Sequence, residues 1–586
     1  MIRPFVVRTA ALATALVLSG TGGYLFLRFT GEGGLSALDI ARAALVVCSG
    51  FWLVWGGTAA VLGVFARAEH PRFDPTVLPV GRTAILVPIY NEDPSQTFAR
   101  IAAMNRSLVD LGIAEKFHIA VLSDTQSLEN ATQEAVWFER LLREPMSTGR
   151  IFYRRRERNI GRKAGNIEDF VARSGAAYDY ALILDADSLM SGETIGEMAR
   201  RMDADADLGL LQTVPKVILA KTLFGRCMQF SASYLSPVFA RGAALMQGGE
   251  GPYWGHNAIV RMRAFAASCG LPELSGKPPF GGHILSHDYV EAALLSRAGW
   301  KVIVDPELEG SFEEGPENLI EYAKRDRRWC QGNLQHRRLV GAPGLKLWSR
   351  FTFVQGIMAY MASPLWLLLM GASIFAAIFP EQPSWFSRLS DGPIDMWVLG
   401  LAVATVLVLP KFLILVRGAL DGRNRSFGST ARATASVICE IAFSTVLAPV
   451  MLLLQTRAVA QVLLGLDGGW PATKRGQNWI GLGVAFRASW WIMAMGIVTL
   501  GGTIALAPHI APWVAPAMLP AIFAPLLISW SSRPPRSKAL PTVFRTDLEL
   551  APAPVIENYR AILANWTASD VPQETATARV PNYVPA

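Results

Sequence analysis

The sequence predicts an α/β domain with a doubly wound, Rossmann-like sheet, inserted between two sets of transmembrane helices. Three observations predict it. The chain of 586 residues is 51% hydrophobic and only 17% charged, which calls for a membrane domain beside one soluble domain. Apolar stretches near 8–28 and 41–66, then near 353–379, 395–416, 483–507 and 511–530, are each about long enough to cross a bilayer. Between the two sets, over about 82–345, short apolar runs alternate with amphipathic ones, as strands alternating with helices would.

The first span, within an N-terminal membrane region 1–81, has Arg3 and Arg8 ahead of an apolar core. A signal peptide has that look, but cleavage would not change the side on which residue 82 emerges. In the soluble domain the strand candidates are 83–88, 117–122, 150–154, 180–185 and 208–212, with helical patterns near 94–110, 128–143, 163–173 and 192–204. A second membrane region follows over 346–530, with four to six crossings. Its stretch 432–465 is apolar yet has basic residues beyond both ends. Two short helices broken near Ala448-Pro449, or an interfacial element, would return the chain to the side it left. Six or eight crossings in total are expected. The tail 531–586 carries Arg533-Pro534-Pro535-Arg536 and Ala551-Pro552-Ala553-Pro554, so much of it is expected to be extended or disordered.

Lys and Arg set the orientation. Arg67, Arg72 and Arg82 follow the second span, Arg417, Arg423, Arg425 and Arg432 flank a later loop, and Lys474, Arg475, Arg533, Arg536 and Lys538 mark others. By the positive-inside rule these segments, the soluble domain and the tail are cytoplasmic. The net charge of +8 does not imply nucleic acid, because the basic residues sit beside membrane segments where anionic lipid attracts them. The five cysteines, Cys48, Cys227, Cys269, Cys330 and Cys439, are scattered and imply no disulfide framework.

In a doubly wound sheet, ligand groups gather at the carboxyl ends of the strands. The first candidate strand ends in Val87-Pro88-Ile89-Tyr90-Asn91-Glu92 and the second in Ser123-Asp124-Thr125. The fourth runs Ala181-Leu182-Ile183-Leu184 into Asp185-Ala186-Asp187. Two carboxylates one residue apart can present hard oxygens to Mg²⁺ or Mn²⁺ shared with substrate phosphates. An acidic turn capping the next helix would use the same residue types. Gly161-Arg162-Lys163-Ala164-Gly165-Asn166 opens a helix where backbone N–H groups and a cation could meet phosphate. His283 and His287, four apart, could be imagined as a metal pair, but the loop supplies no third ligand. Arg154-Arg155-Arg156 reads as a solvated or membrane-facing patch.

Taken together, Val-Pro-x-Tyr-Asn-Glu, Asp124, Lys163-Ala164-Gly165-Asn166, Asp185-x-Asp187, Asp288 and Arg325-Asp326-Arg327-Arg328-Trp329 resemble the processive, inverting membrane glycosyltransferases related to cellulose synthase. Within that group, three features resemble the glucans biosynthesis glucosyltransferase H family, which makes osmoregulated periplasmic glucans. They are Tyr253-Trp254-Gly255-His256-Asn257, Gly281-Gly282-His283-Ile284-Leu285-Ser286-His287-Asp288, and Arg325 where the cellulose enzymes usually carry Gln. Longer members have an extended N-terminus, and regulatory roles attached to that extension are not expected to carry over.

The resemblance implies a cytoplasmic GT-A-type domain in the bacterial inner membrane, with UDP-glucose as donor and Mg²⁺ or Mn²⁺ as cofactor. Asp124 would contact the uracil or ribose, and Lys163 would help hold the nucleotide. Asp185 and Asp187 would contact the ribose and the diphosphate-bound metal. Asp288 would be the general base, with Arg325 and Arg328 over the diphosphate and Trp329 at the acceptor end. Trp470, Thr473 and Lys474, in the polar stretch 466–480, are similar to a gating loop that closes over UDP. The product would be a β-glucan, of β-1,2 linkage by family likeness, passed through the protein's own membrane helices. Further partners would be the growing glucan, membrane lipid, acyl carrier protein and a periplasmic glucan-processing protein. Alternatives are glycosylation of a lipid acceptor without polymerisation, another β-linked polysaccharide, or a catalytically silent sensor or channel on the same scaffold.

Overall fold

The computed structural model describes residues 4–30, 35–66, 73–74, 77–379, 396–466, 479–534 and 543–568. Trp470, Thr473 and Lys474 lie outside the described residues. Helices Pro4–Thr30 and Ala37–Phe65 lead into the soluble domain, and Leu347–Ile378, Met396–Leu420, Thr430–Leu463 and Leu482–Leu506 follow it. Pro508–Ile522 and Ala524–Ser531 form a pair bent by 55°. By length and composition, six described helices can cross a membrane, or seven with the bent pair.

The soluble domain meets the membrane helices through close backbone contact. Helix Ala37–Phe65 crosses helix Ser236–Gln247 at two glycines. A methyl group on Gly63 would sit 1.8 Å from the Val238 carbonyl oxygen, and one on Gly242 would sit 1.7 Å from that of Ala59. Only hydrogen at both places lets the backbones touch. Arg8 of the first helix donates to the carbonyls of Met246 (2.6 Å) and Gln247 (2.7 Å), where Ser236–Gln247 ends, and pairs with Glu250. A cation at a helix carboxyl end satisfies its unpaired carbonyls.

Among the described residues ten strands form two sheets. They are β1 (Thr83–Ile89), β2 (Phe117–Ser123), β3 (Ile151–Arg155), β4 (Tyr180–Ile183), β5 (Leu189–Met190), β6 (Leu208–Thr213), β7 (Lys216–Ile218), β8 (Ala258–Arg261), β9 (Lys301–Asp305) and β10 (Ser311–Glu314). The seven-stranded sheet has the order β3-β2-β1-β4-β8-β6-β9, and the small one β5-β10-β7. In the large sheet the pairings are parallel except that β8 runs antiparallel to β4 and β6, and in the small one β10 runs antiparallel to β5 and parallel to β7. The five expected strands are present, and β8 and β9 complete the sheet.

Alternation along β1 covers both faces. Ile85, Val87 and Ile89 enter one core with helices Pro94–Asp110, Leu128–Leu141 and Gly192–Ala204. Ala84 and Leu86 enter the other, with Ile167 and Phe170 of helix Arg162–Ser174 and Ala292 and Leu295 of helix His287–Arg297. Side chains two apart on a strand share a face, so a strand covered on both sides is apolar throughout.

Two expectations need correction. The stretch 432–465 is not broken at Pro449: Thr430–Leu463 is one helix of 34 residues with Pro449 inside it. It touches the tail and the soluble domain at three places and also packs on neighbouring membrane helices, with Gln455 accepting from Ser363 and Glu440 pairing with Lys411. Near its start Ser436 accepts from the Phe544 amide, in its middle Leu447 and Val450 pack with Phe224 and Leu319, and near its end Ala458 and Val459 pack with Cys330 and Leu334. That lateral packing outweighs the local break at proline. In the tail, helix Pro554–Ala568 is ordered and buries Val555, Ile556, Tyr559, Ile562 and Trp566 in the first core of the sheet.

Candidate active site

The site forms where β1, β2 and β4 end, closed over by the loop 253–257 and the helices His287–Arg297 and Leu319–Gln335. Asp124, just past β2, is buried at 3% exposure. Arg156 donates to both its oxygens, Nε to Oδ1 at 2.7 Å and Nη2 to Oδ2 at 2.9 Å. The expectation that Arg154-Arg155-Arg156 is a solvated patch is therefore wrong. Arg154 is buried against Asp169 and Asn166, and Arg155 donates to the Thr125 carbonyl. Side chains two apart share a strand face, so 154 and 156 both turn into the domain, where carboxylates compensate their charge.

Gly161 precedes helix Arg162–Ser174 with φ +68°, and Gly165 lies so close to the Ile160 carbonyl that a methyl group would sit 2.2 Å from it. This tight entry sets Lys163 in the first turn, where Nζ donates to Asp185 Oδ1 and, at 2.6 Å, to the Gly255 carbonyl. Asp185 and Asp187 do not cap the following helix. Ser191 does, accepting from the Thr194 amide. Asp187 is buried at 5% exposure and Asp185 is half-buried.

Burial opposes ionisation of Asp185, but Lys163, His256 and Arg325 outweigh it and hold its carboxyl well below the usual range. His256 Nδ1 lies 3.8 Å from Asp185 Oδ2, and Nε2 is 2.8 Å from Glu313 Oε2. Burial alone would lower the imidazole, yet Asp185 and Glu313 carry it up to about 9, so it is cationic at neutral pH.

Asp288 sits in the first turn of His287–Arg297, and its pKa is raised, chiefly by burial. A methyl group on Gly255, whose φ is +84°, would meet Asp288 Oδ2 at 3.4 Å. Gly255 therefore touches both halves of the site: its carbonyl takes Lys163, and its Cα faces Asp288.

Helix Leu319–Gln335 fixes the loop that carries Asp288. A methyl group on Gly332 would lie 2.1 Å from Ser286 Oγ. Gln335 accepts from the Leu285 amide at 3.0 Å and donates to the His283 carbonyl at 3.1 Å, and His336 Nε2 is 3.0 Å from the Ser286 carbonyl oxygen. On the same helix the Arg325 guanidinium lies 4.5 Å from the Trp329 ring centroid. Trp329 is 42% exposed, and Arg328 is half-buried. His283 and His287 turn to different partners, Glu273 and Glu291, and make no metal pair.

Among the described residues no group of three or more His, Cys, Asp or Glu could hold a metal. The donor set offers Asp187, beside an Asp185 already paired with Lys163. It fits a hard cation shared with a substrate diphosphate rather than a cage made by protein alone. Sequence reasoning missed Arg156, His256, Glu313 and Gly332. Period-two spacing on β3 and the small residue one turn beyond Trp329 were the available signals; the His256–Glu313 contact joins segments far apart and had none.

Residues 84–268 match the model of Glycosyl transferase family 2, and residues 180–409 match that of Glycosyl transferase family group 2. The fold and the site define a glycosyltransferase with a GT-A-like domain, related to cellulose synthase and built into a multi-pass membrane protein. A glucans biosynthesis glucosyltransferase H of Cereibacter sphaeroides is 51% identical over 575 residues, covering 97% of this chain and 96% of the relative. One of Vibrio cholerae is 39% identical over 511 residues, 85% of this chain and 70% of the relative. The chain belongs to the glucans biosynthesis glucosyltransferase H family and is a glucosyltransferase of glucan biosynthesis. A mannosyltransferase of Pyrobaculum calidifontis, solved with GDP-Man and Mn²⁺, has a TM-score of 0.44 and 14% identity, covering 73% of this chain and 100% of its own. At that distance it bears on neither donor nor metal.

Proposed function

We propose that the protein polymerises glucose from UDP-glucose into a β-glucan backbone by an inverting mechanism. The observation that carries the reading is the bracketing of Gly255 by Lys163, which pairs with Asp185, and by Asp288. A donor held by the first group would have its anomeric carbon open to an acceptor activated by the second. Asp124 would hold the nucleoside, Asp185 and Lys163 the ribose and diphosphate, and Arg325 and Arg328 the diphosphate oxygens. In a single displacement the acceptor hydroxyl oxygen bonds to the anomeric carbon while the bond to UDP breaks, and Asp288 takes the hydroxyl proton. One displacement turns an α-linked donor into a β-glycoside.

Asp187, with Asp185, would hold Mg²⁺ or Mn²⁺; when bound, the ion supplies positive charge to the departing diphosphate. Trp329, exposed beside Arg325, suits an acceptor sugar ring, whose flat face stacks on aromatics. Trp470, Thr473 and Lys474 would close over the nucleotide.

The domain and the tail share one core, and both ends of Thr430–Leu463 rest on that domain. The reading this supports has that helix lying at the membrane surface and the bent pair crossing, so the chain crosses six times. Domain and tail would then face the cytoplasm across the bacterial inner membrane, and the glucan, β-1,2-linked as the family likeness implies, would leave between the membrane helices. Acyl carrier protein and a periplasmic glucan-processing protein remain partners implied by the family alone. The test is purified protein with radiolabelled UDP-glucose and Mg²⁺, followed by linkage analysis. A β-linked glucose polymer is expected. Turnover of UDP-N-acetylglucosamine or UDP-glucuronate in its place, or glucose found on lipid alone, would overturn the reading.

A further inference from the structure

The segment 543–568 takes no part in the contacts described for donor or acceptor, yet it is tied to the catalytic domain by charge as well as by apolar packing. Arg226 donates to both oxygens of Glu549, at 2.6 and 3.1 Å, and Lys216 pairs with Asp547 at 3.0 Å. Trp566 stacks on Trp137 with ring centroids 5.6 Å apart. Between these anchors Tyr559 meets Arg100, whose guanidinium carbon lies 5.1 Å from the ring centroid.

Arg100 is 3% exposed. It donates through Nη1 to the Ala186 carbonyl at 3.3 Å and through Nη2 to Glu314 Oε1. Ala186 is the residue between Asp185 and Asp187. Glu314 follows Glu313, which holds His256 at 2.8 Å. The tail's aromatic ring thus covers a guanidinium whose bonds run to the turn bearing both carboxylates and to the strand that holds their cationic neighbour.

We propose that helix Pro554–Ala568 is a positioning element of the donor site. Tyr559 excludes water from Arg100 and keeps it on the Ala186 carbonyl, which fixes the directions of Asp185 and Asp187. The inference rests on the donor reading above. A stacked guanidinium in a dry setting holds its acceptors more firmly than a hydrated one. A loosened turn would leave the carboxylates present but misaimed, so nucleotide and metal affinity would fall more than the rate at saturation.

The test uses the full chain in detergent or nanodiscs. Tyr559→Leu keeps apolar volume and loses the ring face; Tyr559→Phe keeps the face. Tyr559→Leu is expected to raise both the donor KM and the Mg²⁺ half-saturation by roughly 3- to 30-fold, with kcat changed less and Tyr559→Phe matching the parent. Arg100→Met reads the same contact from the other side should Tyr559→Leu fail to fold. Unchanged donor and Mg²⁺ half-saturation in a folded Tyr559→Leu or Arg100→Met, or a loss of kcat alone, overturns the inference. Asp187→Ala run alongside separates the two ideas. If it keeps Mg²⁺-dependent turnover, the donor reading itself fails; if it is dead while Tyr559→Leu is unaltered, only the positioning role falls.

Discussion

Asp185 and Asp288 both belong to the surroundings of Gly255, yet those surroundings drive them in opposite directions. Asp185 faces Lys163, His256 and Arg325 and is held ionised far below the ordinary carboxylate range. Asp288 meets a nearby histidine already bound to Glu291, and burial raises its pKa. Two carboxyls pushed apart in this way can divide the work: one stays a fixed charge, and the other gains affinity for a proton. The half that neutralises charge is built from side-chain ion pairs. The half proposed to move a proton is built from backbone grip on a glycine-rich loop.

The strongest way to break the comparison is at Asp187, on the charge-neutralising side. Asp187→Ala is expected to abolish glucosyl transfer together with its dependence on divalent ions. Initial rates across a Mg²⁺ titration check this, and full Mg²⁺-dependent turnover would end the assignment. On the proton-moving side, Asp288→Asn should leave UDP affinity close to that of the parent while lowering transfer by roughly 10²–10⁴-fold. UDP affinity lost in step with rate would make Asp288 structural.

The same contrast sets the pH profile. A base whose pKa is raised loses its deprotonated form as pH falls through that raised value. The acid limb of kcat should therefore lie above the ordinary carboxylate range, whereas Asp185, held low, adds no limb near neutrality. A profile flat down to about pH 4 would show that Asp288 titrates as an ordinary carboxyl.

Trp329→Ala should shorten or prevent polymer while sparing UDP-glucose hydrolysis, whereas Arg328→Ala should reduce both. UDP release and chain length measured side by side decide it, and equal losses in folded Trp329→Ala would remove the acceptor platform. The smallest effect is expected at the shared hinge. Gly255→Ala adds left-handed backbone strain of roughly 1–2 kcal/mol and a methyl group against Asp288. Transfer should therefore fall by about tenfold with UDP affinity little changed. An equal fall in nucleotide affinity would place the strain on the Lys163 side.

Much of this was legible before any coordinates. The strands β1 to β4 and β6 announce themselves as apolar runs ending abruptly in polar groups, because a strand covered on both faces has no reason to be polar until it emerges. The strands β8 and β10 are as short as β4, at four residues each, but lie outside the alternation of apolar and amphipathic runs that marks β1 to β4 and β6. Pro449 signals a break that packing on both flanks overrides. The Pro-rich look of the tail hides Val555, Tyr559, Ile562 and Trp566, whose helical spacing was readable and marks the face that docks. Arg156 is the counterpart at the site. Its charge suggested solvent, but its place just past β3, two residues from the buried Arg154, turned it toward Asp124.

Because Val555, Tyr559, Ile562 and Trp566 fill the same core as Ile85 and Val87, the catalytic domain is closed by residues that follow the described membrane helices along the chain. A nascent chain halted before residue 554 would already carry the donor and acceptor groups named here, but its core would stand open on one side. Completion of that core therefore has to wait until synthesis has passed the described membrane helices.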